Sequence, residues 1–434
     1  MPIKRFTRFF SQQILPALLG LGSFFVPIFS QAATNDAAIS RLINQGALEK
    51  ARIVLEQGNP SKAERLFFAG RVLKAQGKLE DAINVFRQAL QYEAEYINAK
   101  RELAHTLMLL ERYDTAEQHF QALLSIDQNE HMRDGYRDFL RRIDQNKPIR
   151  LSGHFSVLPS TNVNRGTDNT VFDTTLGQFV INPESQEESG VGLQYGLSAY
   201  FRHLLDTKSR LSFNWAVSER RYEQKLFNSL IKRFAITYER MENKGDWFIS
   251  PYYRHTQRND NADNNAIGLH AGLSYRLDAK KQIIFSTKYE NNRFLKQNYR
   301  DGKFSAFSTS LNHQVSPTFF ISGGTGIVFN ATDADHLKYT GYEIFSNLGK
   351  KWQGGLFTKF GIKLKRRDFF GIYPLTTHKR RDDFYQVSIE TEYSRFDIEG
   401  FIPYLSCAYT NNHSNIPFYE YRVMDCQIAV FKSF

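Results

Sequence analysis

Residues that could do chemistry are plentiful in this chain, but their spacing fits no catalytic or metal-binding pattern. The sequence has no G-x-S-x-G turn, no H-E-x-x-H pair and no phosphate-loop lysine. His105, His119 and His131 lack cysteine or carboxylate partners at metal-site spacing. Aspartates and glutamates are numerous, but no two are paired for acid–base work. We therefore expect a protein that is not an enzyme and has no cofactor or metal.

Cys407 and Cys426 are the only cysteines among 434 residues. This number suits an exported protein that does not depend on a disulfide framework. Both fall on the last two extended segments, near opposite one another across a final hairpin. Two interpretations stay open, a cross-strand disulfide or two separate small residues in the wall of a sheet.

The N-terminus has the three parts of a secretory signal peptide. A basic stretch over residues 4–8 precedes an apolar run over residues 14–29, and small residues follow. We expect cleavage after Ala32, with Ala33 as the next best site. A membrane anchor is disfavoured, because the run is shorter than the ~20 residues of a spanning helix and contains two prolines. Residues 1–32 are therefore predicted to direct export.

Composition indicates a sheet with one apolar and one polar face. The mean hydropathy is −0.46, typical of a polar chain, yet aromatic residues make up 14% of it. A transmembrane β-barrel reconciles the two, because its strands alternate apolar and polar residues. The formal net charge of +11 would ordinarily suggest nucleic acid. Nucleic acid does not fit an exported protein as a partner. A basic lumen, or loops lying against anionic lipid headgroups, explain the charge instead.

A 34-residue repeat organises residues 33–147. The stretch GKLEDAINVFRQAL matches ERYDTAEQHFQAL at this spacing, and a partial copy precedes them. Small residues let two antiparallel helices approach closely, and a large residue four places after the alanine fills the gap. The residues that we expect to pack the repeats are Gly70, Leu73, Gly77, Leu79, Ala82, Phe86, Ala89, Leu103, Ala104, Leu107, Tyr113, Ala116 and Phe120.

The period is that of tetratricopeptide repeats, which this segment resembles. The resemblance implies an α-solenoid of two repeats and a half unit, capped by an arginine-rich helix near Met132 to Ile143. Such a solenoid offers a concave surface for docking a peptide. A spacer, or a lid over a pore, are the alternatives that remain open.

From residue 148 onward the helical period gives way to strict alternation. In Leu211 to Ser218, for example, Leu, Phe, Trp and Val alternate with Ser, Asn, Ala and Ser. We count about fourteen strands of about 9–11 residues, joined by links that are alternately long and short. Residues 148–434 are thus predicted to form an antiparallel barrel in the outer membrane of a Gram-negative bacterium. An even strand count puts both barrel ends, and the repeat domain, in the periplasm.

The C-terminal residue, Phe434, follows Ile428 and Val430 at alternate positions. A terminal aromatic on such a strand resembles the signal that the barrel-assembly machinery reads. Lys432 departs from it, because an aromatic or apolar residue is usual at that place.

The order of these parts resembles the surface lipoprotein assembly modulator (Slam) family of type XI secretion translocators. At the start of the predicted barrel, Pro159, Asn162 and Asn164 resemble the Pro-x-x-Asn-x-Asn segment of that family's first strand. The resemblance implies export of a surface lipoprotein or a soluble secreted protein, often one that captures haem or metal carriers. It implies contacts with that substrate, with periplasmic chaperones, with the barrel-assembly machinery during biogenesis and with outer-membrane lipid.

Two other functions fit the same layout. An exopolysaccharide export porin also joins such repeats to a barrel, although usually with many more repeats. A passive diffusion porin with an accessory periplasmic domain is the other. The sequence alone favours the protein translocator, because the repeats predict a protein-docking module at the inner mouth.

Overall fold

The computed structural model describes residues 38–43, 45–127, 129–206, 208–242, 244–278, 280–316, 318–352, 355–393 and 402–433. The chain divides into two compact units, Met1–Ser61 and Lys62–Phe434. The predicted cleavage residues Ala32 and Ala33, and the terminal Phe434, lie outside the described residues. The first unit holds a helical segment over residues 38–43 and helix α1 (Leu48–Gln57).

The second unit begins with five helices that pack in sequence. They are α2 (Lys62–Ala75), α3 (Leu79–Tyr92), α4 (Ile97–Leu109), α5 (Tyr113–Ile126) and α6 (Glu130–Asn146). Gly77, between α2 and α3, has a φ of +76°, and Glu111, 34 residues later, has a φ of +57°. The same left-handed turn thus ends the first helix of each repeat, as expected where a helix stops in the αL conformation. Within the described part of the chain, no helix is both long and apolar enough to cross a membrane.

Fourteen antiparallel strands follow and close into a barrel. The strands of the barrel and of a separate hairpin, β2–β3, are β1 (Ile149–Ser160), β2 (Val171–Thr174), β3 (Gly177–Val180), β4 (Gly190–Leu204), β5 (Ser209–Arg221), β6 (Ser229–Glu242), β7 (Gly245–Arg258), β8 (Asn261–Arg276), β9 (Lys281–Phe294), β10 (Gly302–Ser316), β11 (Phe319–Thr332), β12 (Tyr339–Lys351), β13 (Leu356–Ile372), β14 (Lys379–Tyr393), β15 (Ile402–Ser414) and β16 (Tyr421–Ser433). Each barrel strand pairs with the next barrel strand along the chain, β1 with β4, and β1 also closes the ring against β16. The predicted architecture, a repeat solenoid followed by a fourteen-stranded antiparallel barrel, is confirmed.

The barrel has an apolar outer face and a polar inner face. On β1, Ile149 and Leu151 are 59% and 51% exposed, whereas Arg150 between them is 8% exposed. The same alternation places Val191, Leu193 and Leu197 of β4 outward. Because a folded chain in water would bury such a band, its exposure around a closed ring is the arrangement expected against lipid.

We call the two ends of the barrel the turn mouth and the loop mouth. The turn mouth is where β1 begins and where residues 205–208, 243–244, 277–280, 317–318 and 352–355 join the strands. The loop mouth is where residues 161–189, 222–228, 259–260, 295–301, 333–338, 373–378 and 415–420 join them.

Strand and link lengths differ from the sequence prediction in two ways. The barrel strands run from 12 residues in β1 to 17 in β13, longer than predicted, and so the long links are shorter. The predicted alternation of long and short links is wrong at one place, because only Asn259 and Asp260 separate β7 from β8 where a long link was expected. Both have positive φ, 48° and 58°, as a two-residue hairpin turn requires. Asparagine and aspartate tolerate that conformation better than other side chains.

Candidate functional site

The helical repeats join the barrel at the turn mouth through a very short connection. Only Lys147 and Pro148 separate α6 from β1. Lys147 Nζ lies 2.5 Å from Asp114 Oδ2 of α5, and the backbone N–H of Arg202 on β4 donates to the Pro148 carbonyl at 2.8 Å. The connection is therefore held from the helical side and from the barrel side.

A buried cluster of ion pairs fastens α5 and α6 to the inside of the barrel wall. Asp144 of α6, 4% exposed, binds Arg150 Nη2 at 2.9 Å, Arg202 Nη1 at 3.1 Å and Arg210 Nη1 at 3.0 Å. Glu117 of α5 binds Arg150 and, at 3.1 Å, Arg202. We call these five residues the mouth cluster.

The charges around the mouth cluster are balanced. Arg150, Arg202 and Arg210 stand on the adjacent strands β1, β4 and β5. Besides the two helical carboxylates, Glu239 of β6 binds Arg210 Nε at 2.7 Å. Removing one partner of a buried pair leaves the other charged and desolvated, which costs about 3–5 kcal/mol. The cluster thus makes separation of the helices from the barrel unfavourable.

The helical repeats also lie near two further strands of the ring, β7 and β12. Arg137 of α6 interacts electrostatically with Asp246 at the start of β7. Lys351, at the end of β12, lies close enough to the helical repeats to be attracted by Glu95 and repelled by Lys100 of α4. Because β12 and β5 stand on opposite sides of the closed strand order, the helical repeats extend across the turn mouth.

A second buried cluster sets the position of α6. Asp127, in the link between α5 and α6, accepts hydrogen bonds from Arg101 Nη2 at 2.6 Å, from the Asn129 N–H at 3.0 Å and from the Tyr136 hydroxyl. Burial opposes ionisation of this carboxyl, but the three hydrogen bonds outweigh it and lower the pKa of Asp127. The charged Asp127 therefore ties α6 to α4, which presents Asp144 to the barrel.

The sequence-predicted repeat residues lie in and around one core. Ala82, Phe86, Ala89, Leu103, Ala104, Leu107, Ala116 and Phe120 are all buried within it. Leu73 and Tyr113 pack against this core, Leu79 is half-buried, and Gly77 lies exposed in its turn. Gly70 lies under Phe86, and a Cβ there would come within 2.6 Å of the ring. These residues pack the helices of the repeats against one another.

The first-strand motif organises the loop mouth. Asn162 is fully buried, donates to the Gly166 and Arg422 carbonyls at 2.8 and 3.1 Å, and accepts from the Gly166 N–H. Asn164 donates to the Gln186 carbonyl at 2.6 Å, across the same link. The two amides thus fold residues 161–189 onto themselves and onto β16.

Pro159, the third motif residue, lies at the seam where the barrel closes. The ladder between β1 and β16 runs from Ser152 to Val157 and resumes at Ser160, so it is interrupted at Leu158 and Pro159. Proline has no N–H to donate to a ladder, which accounts for its part in this gap.

Cys407 and Cys426 face each other directly across β15 and β16 and are joined as a disulfide. Their neighbours on the same face, Leu405 and Ile428, are 43% and 56% exposed. The disulfide therefore lies on the outer face of the barrel, remote from the mouth cluster.

The sequence did not single out Glu117, Asp144 or their three arginine partners. The alternation of β1 does send Arg150 inward between Ile149 and Leu151, which is the one signal that was available. Among the residues that the structure describes, no group of three or more His, Cys, Asp or Glu side chains could hold a metal ion.

These features define a class of protein, a fourteen-stranded outer-membrane β-barrel with a tetratricopeptide-repeat domain attached at its turn mouth. The profile of the family described as "Surface lipoprotein assembly modifier" matches residues 150–434, and that of "Tetratricopeptide repeat" matches residues 73–135. The chain belongs to the surface lipoprotein assembly modifier family.

Curated relatives and solved structures give the following similarities. Surface lipoprotein assembly modifier 1 of Haemophilus influenzae is 22% identical over 83% of this chain and 76% of its own length. Surface lipoprotein assembly modifier 2 of Neisseria meningitidis serogroup B is 19% identical over 72% of this chain and 68% of its own. The outer membrane channel DcaP of Acinetobacter baumannii and the monoaromatic hydrocarbon channel CymD have TM-scores of 0.39 and 0.38. They are 10% and 9% identical, cover 66% and 69% of this chain, and are themselves covered to 97% and 91%.

Proposed function

We propose that this protein carries a partner protein across the outer membrane to the cell surface, with the repeat domain on the periplasmic side. Surface lipoproteins are the first candidates, because the relatives are named for their assembly. Soluble secreted proteins that acquire haem or metals are a narrower alternative. The N-terminal signal peptide would be removed on export, by cleavage after Ala32 or Ala33.

The mouth cluster carries this proposal. It attaches a protein-docking fold across the mouth through which a substrate would have to pass. A solenoid in that place can receive a polypeptide, release its hold on the barrel and present the polypeptide to the lumen. A porin for small solutes has no use for a docking surface in its path.

No catalytic step is required in this mechanism. The periplasm offers no nucleotide, so the free energy must come from elsewhere. Handover from a periplasmic chaperone, folding of the substrate outside the cell, or its binding at the loop mouth can each supply it. The barrel-assembly machinery would insert the protein, with Phe434 as part of the signal.

The test is surface display in a strain that lacks this protein. Each lipoprotein of the host is followed by protease accessibility and antibody labelling on intact cells. We expect at least one to be lost from the surface, to accumulate in the periplasm, and to return on complementation with the wild-type chain. Unchanged display of every lipoprotein and secreted protein would overturn the proposal.

A matched pair of variants links the test to the site. The double variant Glu117→Gln, Asp144→Asn removes both helical carboxylates of the mouth cluster, and we expect it to impair display. Asp138→Asn changes an exposed carboxylate on the same helix that pairs with the nearby Arg141. The Asp138→Asn variant should restore display fully. Equal display with the two variants would mean that the mouth cluster has no part in export.

A further inference from the structure

A cavity lined by arginines lies inside the loop mouth, at the other end of the barrel from the mouth cluster. Its volume is about 370 Å³, and four guanidinium groups line it, from Arg254, Arg300, Arg367 and Arg380. None of the residues that line it is acidic. The proposed export function gives this cavity no role.

The positive charge of this cavity is only partly compensated. Arg380 forms two bonds to Asp382, at 2.9 and 2.6 Å, and Arg254 Nη2 lies 3.4 Å from Glu290. Neither Arg300 nor Arg367 has an ion pair with a carboxylate among the described residues. Glu290 is shared with Lys288, which lies 3.1 Å from it. The four guanidiniums of the lining are therefore not balanced by these two carboxylates, and positive charge is left facing the lumen.

Three of the guanidiniums are held in place by aromatic rings of the same wall. Arg300 lies 4.2 Å from the Phe294 ring, Arg367 5.4 Å from Tyr339 and Arg380 4.5 Å from Phe369. Stacking on a ring does not use the N–H groups at the edge of a guanidinium. Arg380 donates two of these groups to Asp382, whereas Arg300 and Arg367 have no carboxylate partner among the described residues. Fixed arginine edges are the usual means of binding phosphate groups in proteins.

Asn264 adds a second kind of recognition. It lines the cavity and is 6% exposed, and its Oδ1 has no hydrogen-bond partner. A buried acceptor without a partner favours a ligand that carries a donor, such as a hydroxyl. The volume also exceeds what a single phosphate ion needs and lies within the range of pockets for small organic molecules.

We propose that this cavity binds a soluble phosphorylated sugar. The arginines hold its phosphate, and Asn264 accepts from one of its hydroxyls. The strand residues that line the cavity face the lumen, so the ligand arrives from the aqueous side and not from the lipid. This site is independent of the proposed transport of a protein.

Calorimetric titration of the full-length protein in detergent, at constant ionic strength, tests the site with glucose 6-phosphate. We expect saturable binding, at least ten-fold weaker binding of inorganic phosphate and no measurable binding of glucose. Equal affinity for glucose and its phosphate would overturn the proposal. So would the absence of saturable binding of glucose 6-phosphate at millimolar concentration, and so would binding of inorganic phosphate as tight as that of the sugar phosphate.

Variants assign the binding to this cavity. Arg300 lies in the link between β9 and β10, outside the strands, so Arg300→Gln should not affect barrel assembly. It should weaken the binding of glucose 6-phosphate at least ten-fold. Asn264→Ala should weaken the binding of glucose 6-phosphate but leave the affinity for inorganic phosphate unchanged. Arg221→Gln, at the same mouth but outside this lining, is the control with the same change of charge. Equal affinities in the wild type, Arg300→Gln and Arg221→Gln would place the binding elsewhere and overturn the proposal.

Discussion

Gly70 shows how closely the repeat helices approach each other. A Cβ at this position would lie 2.6 Å from the ring of Phe86, which is fully buried. We predict that Gly70→Ala lowers the free energy of unfolding of the repeats by about 1–3 kcal/mol, the usual cost of overpacking. Urea titration of the full chain in detergent, followed by its helical circular dichroism, measures the change.

Gly135 of α6 provides the control for that prediction. No heavy atom lies within 4 Å of a Cβ built there, so Gly135→Ala meets no obstacle. Alanine is favoured over glycine within a helix by about 1 kcal/mol. The two substitutions should therefore shift the urea midpoint in opposite directions, and a shift of the same sign would contradict the close packing at Gly70.

His119 of α5 makes the stability of the repeats depend on pH. Burial, with Arg87 and Lys100 nearby, lowers the pKa of its imidazole to about 4, from an ordinary value of 6.5. The unfolded chain therefore binds the proton more readily than the folded chain. The free energy of unfolding should fall as the pH drops from about 6.5 to about 4, by at most about 1.4 kcal/mol per pH unit.

The variant His119→Gln isolates this contribution. Between about pH 7 and about pH 5, its urea midpoint should fall less than that of the wild type, because glutamine does not titrate in this range. Above pH 7 the two pH profiles should run parallel, since the imidazole is then neutral in both states. Parallel profiles over the whole range would show that His119 is not the titrating group.

At the scale of elements, periodicity predicted the helices and strands but not where they end. The 34-residue repeat and the two-residue alternation arise because two kinds of surface must be apolar. These are the inner faces of the helices, which pack in a core, and the outer faces of the strands, which contact lipid. Where a strand extends beyond the lipid, its outer face no longer has to be apolar. The end of β13, Arg366 to Ile372, is mostly charged or aromatic and lies beyond the ~9–11 residues predicted for a strand, yet its pairing with β14 continues.

The attachment of α6 to the barrel wall predicts a local change in dynamics. Asp144→Asn takes away the charge that Arg150, Arg202 and Arg210 share, leaving buried guanidiniums partly unpaired. Breaking such a pair costs about 3–5 kcal/mol, part of which should appear as easier opening of α6. We expect amide hydrogen exchange in the last turns of α6 to become roughly ten-fold faster or more.

Asp138→Asn separates this effect from a general loss of helix stability. Asp138 is 58% exposed and pairs with Arg141 one turn away, a kind of contact that contributes about 0.3–0.5 kcal/mol. Its removal should leave the exchange of α6 nearly unchanged. Comparable acceleration in both variants would mean that the mouth cluster does not hold α6.

At the scale of the whole molecule, the sequence predicted both folds but not the contacts between them. Alternation along β1 sends Arg150 into the lumen, but it cannot indicate that Glu117 and Asp144 meet it there. Those carboxylates lie on helix faces that a solenoid alone would leave in water, so no apolar pattern marks them. Their burial arises only when the repeats lie across the turn mouth.

That arrangement predicts how the intact protein conducts ions. If the repeats block the turn mouth, the full chain in a planar bilayer should show a small conductance, although a barrel of this size encloses a polar lumen. The double variant Glu117→Gln, Asp144→Asn should open more often and to a larger conductance, because it loses both helical carboxylates of the mouth cluster. The Asp138→Asn protein should behave like the wild type. A large, steady conductance of the wild-type chain, unchanged in the double variant, would instead indicate a passive porin whose repeats do not obstruct the pore.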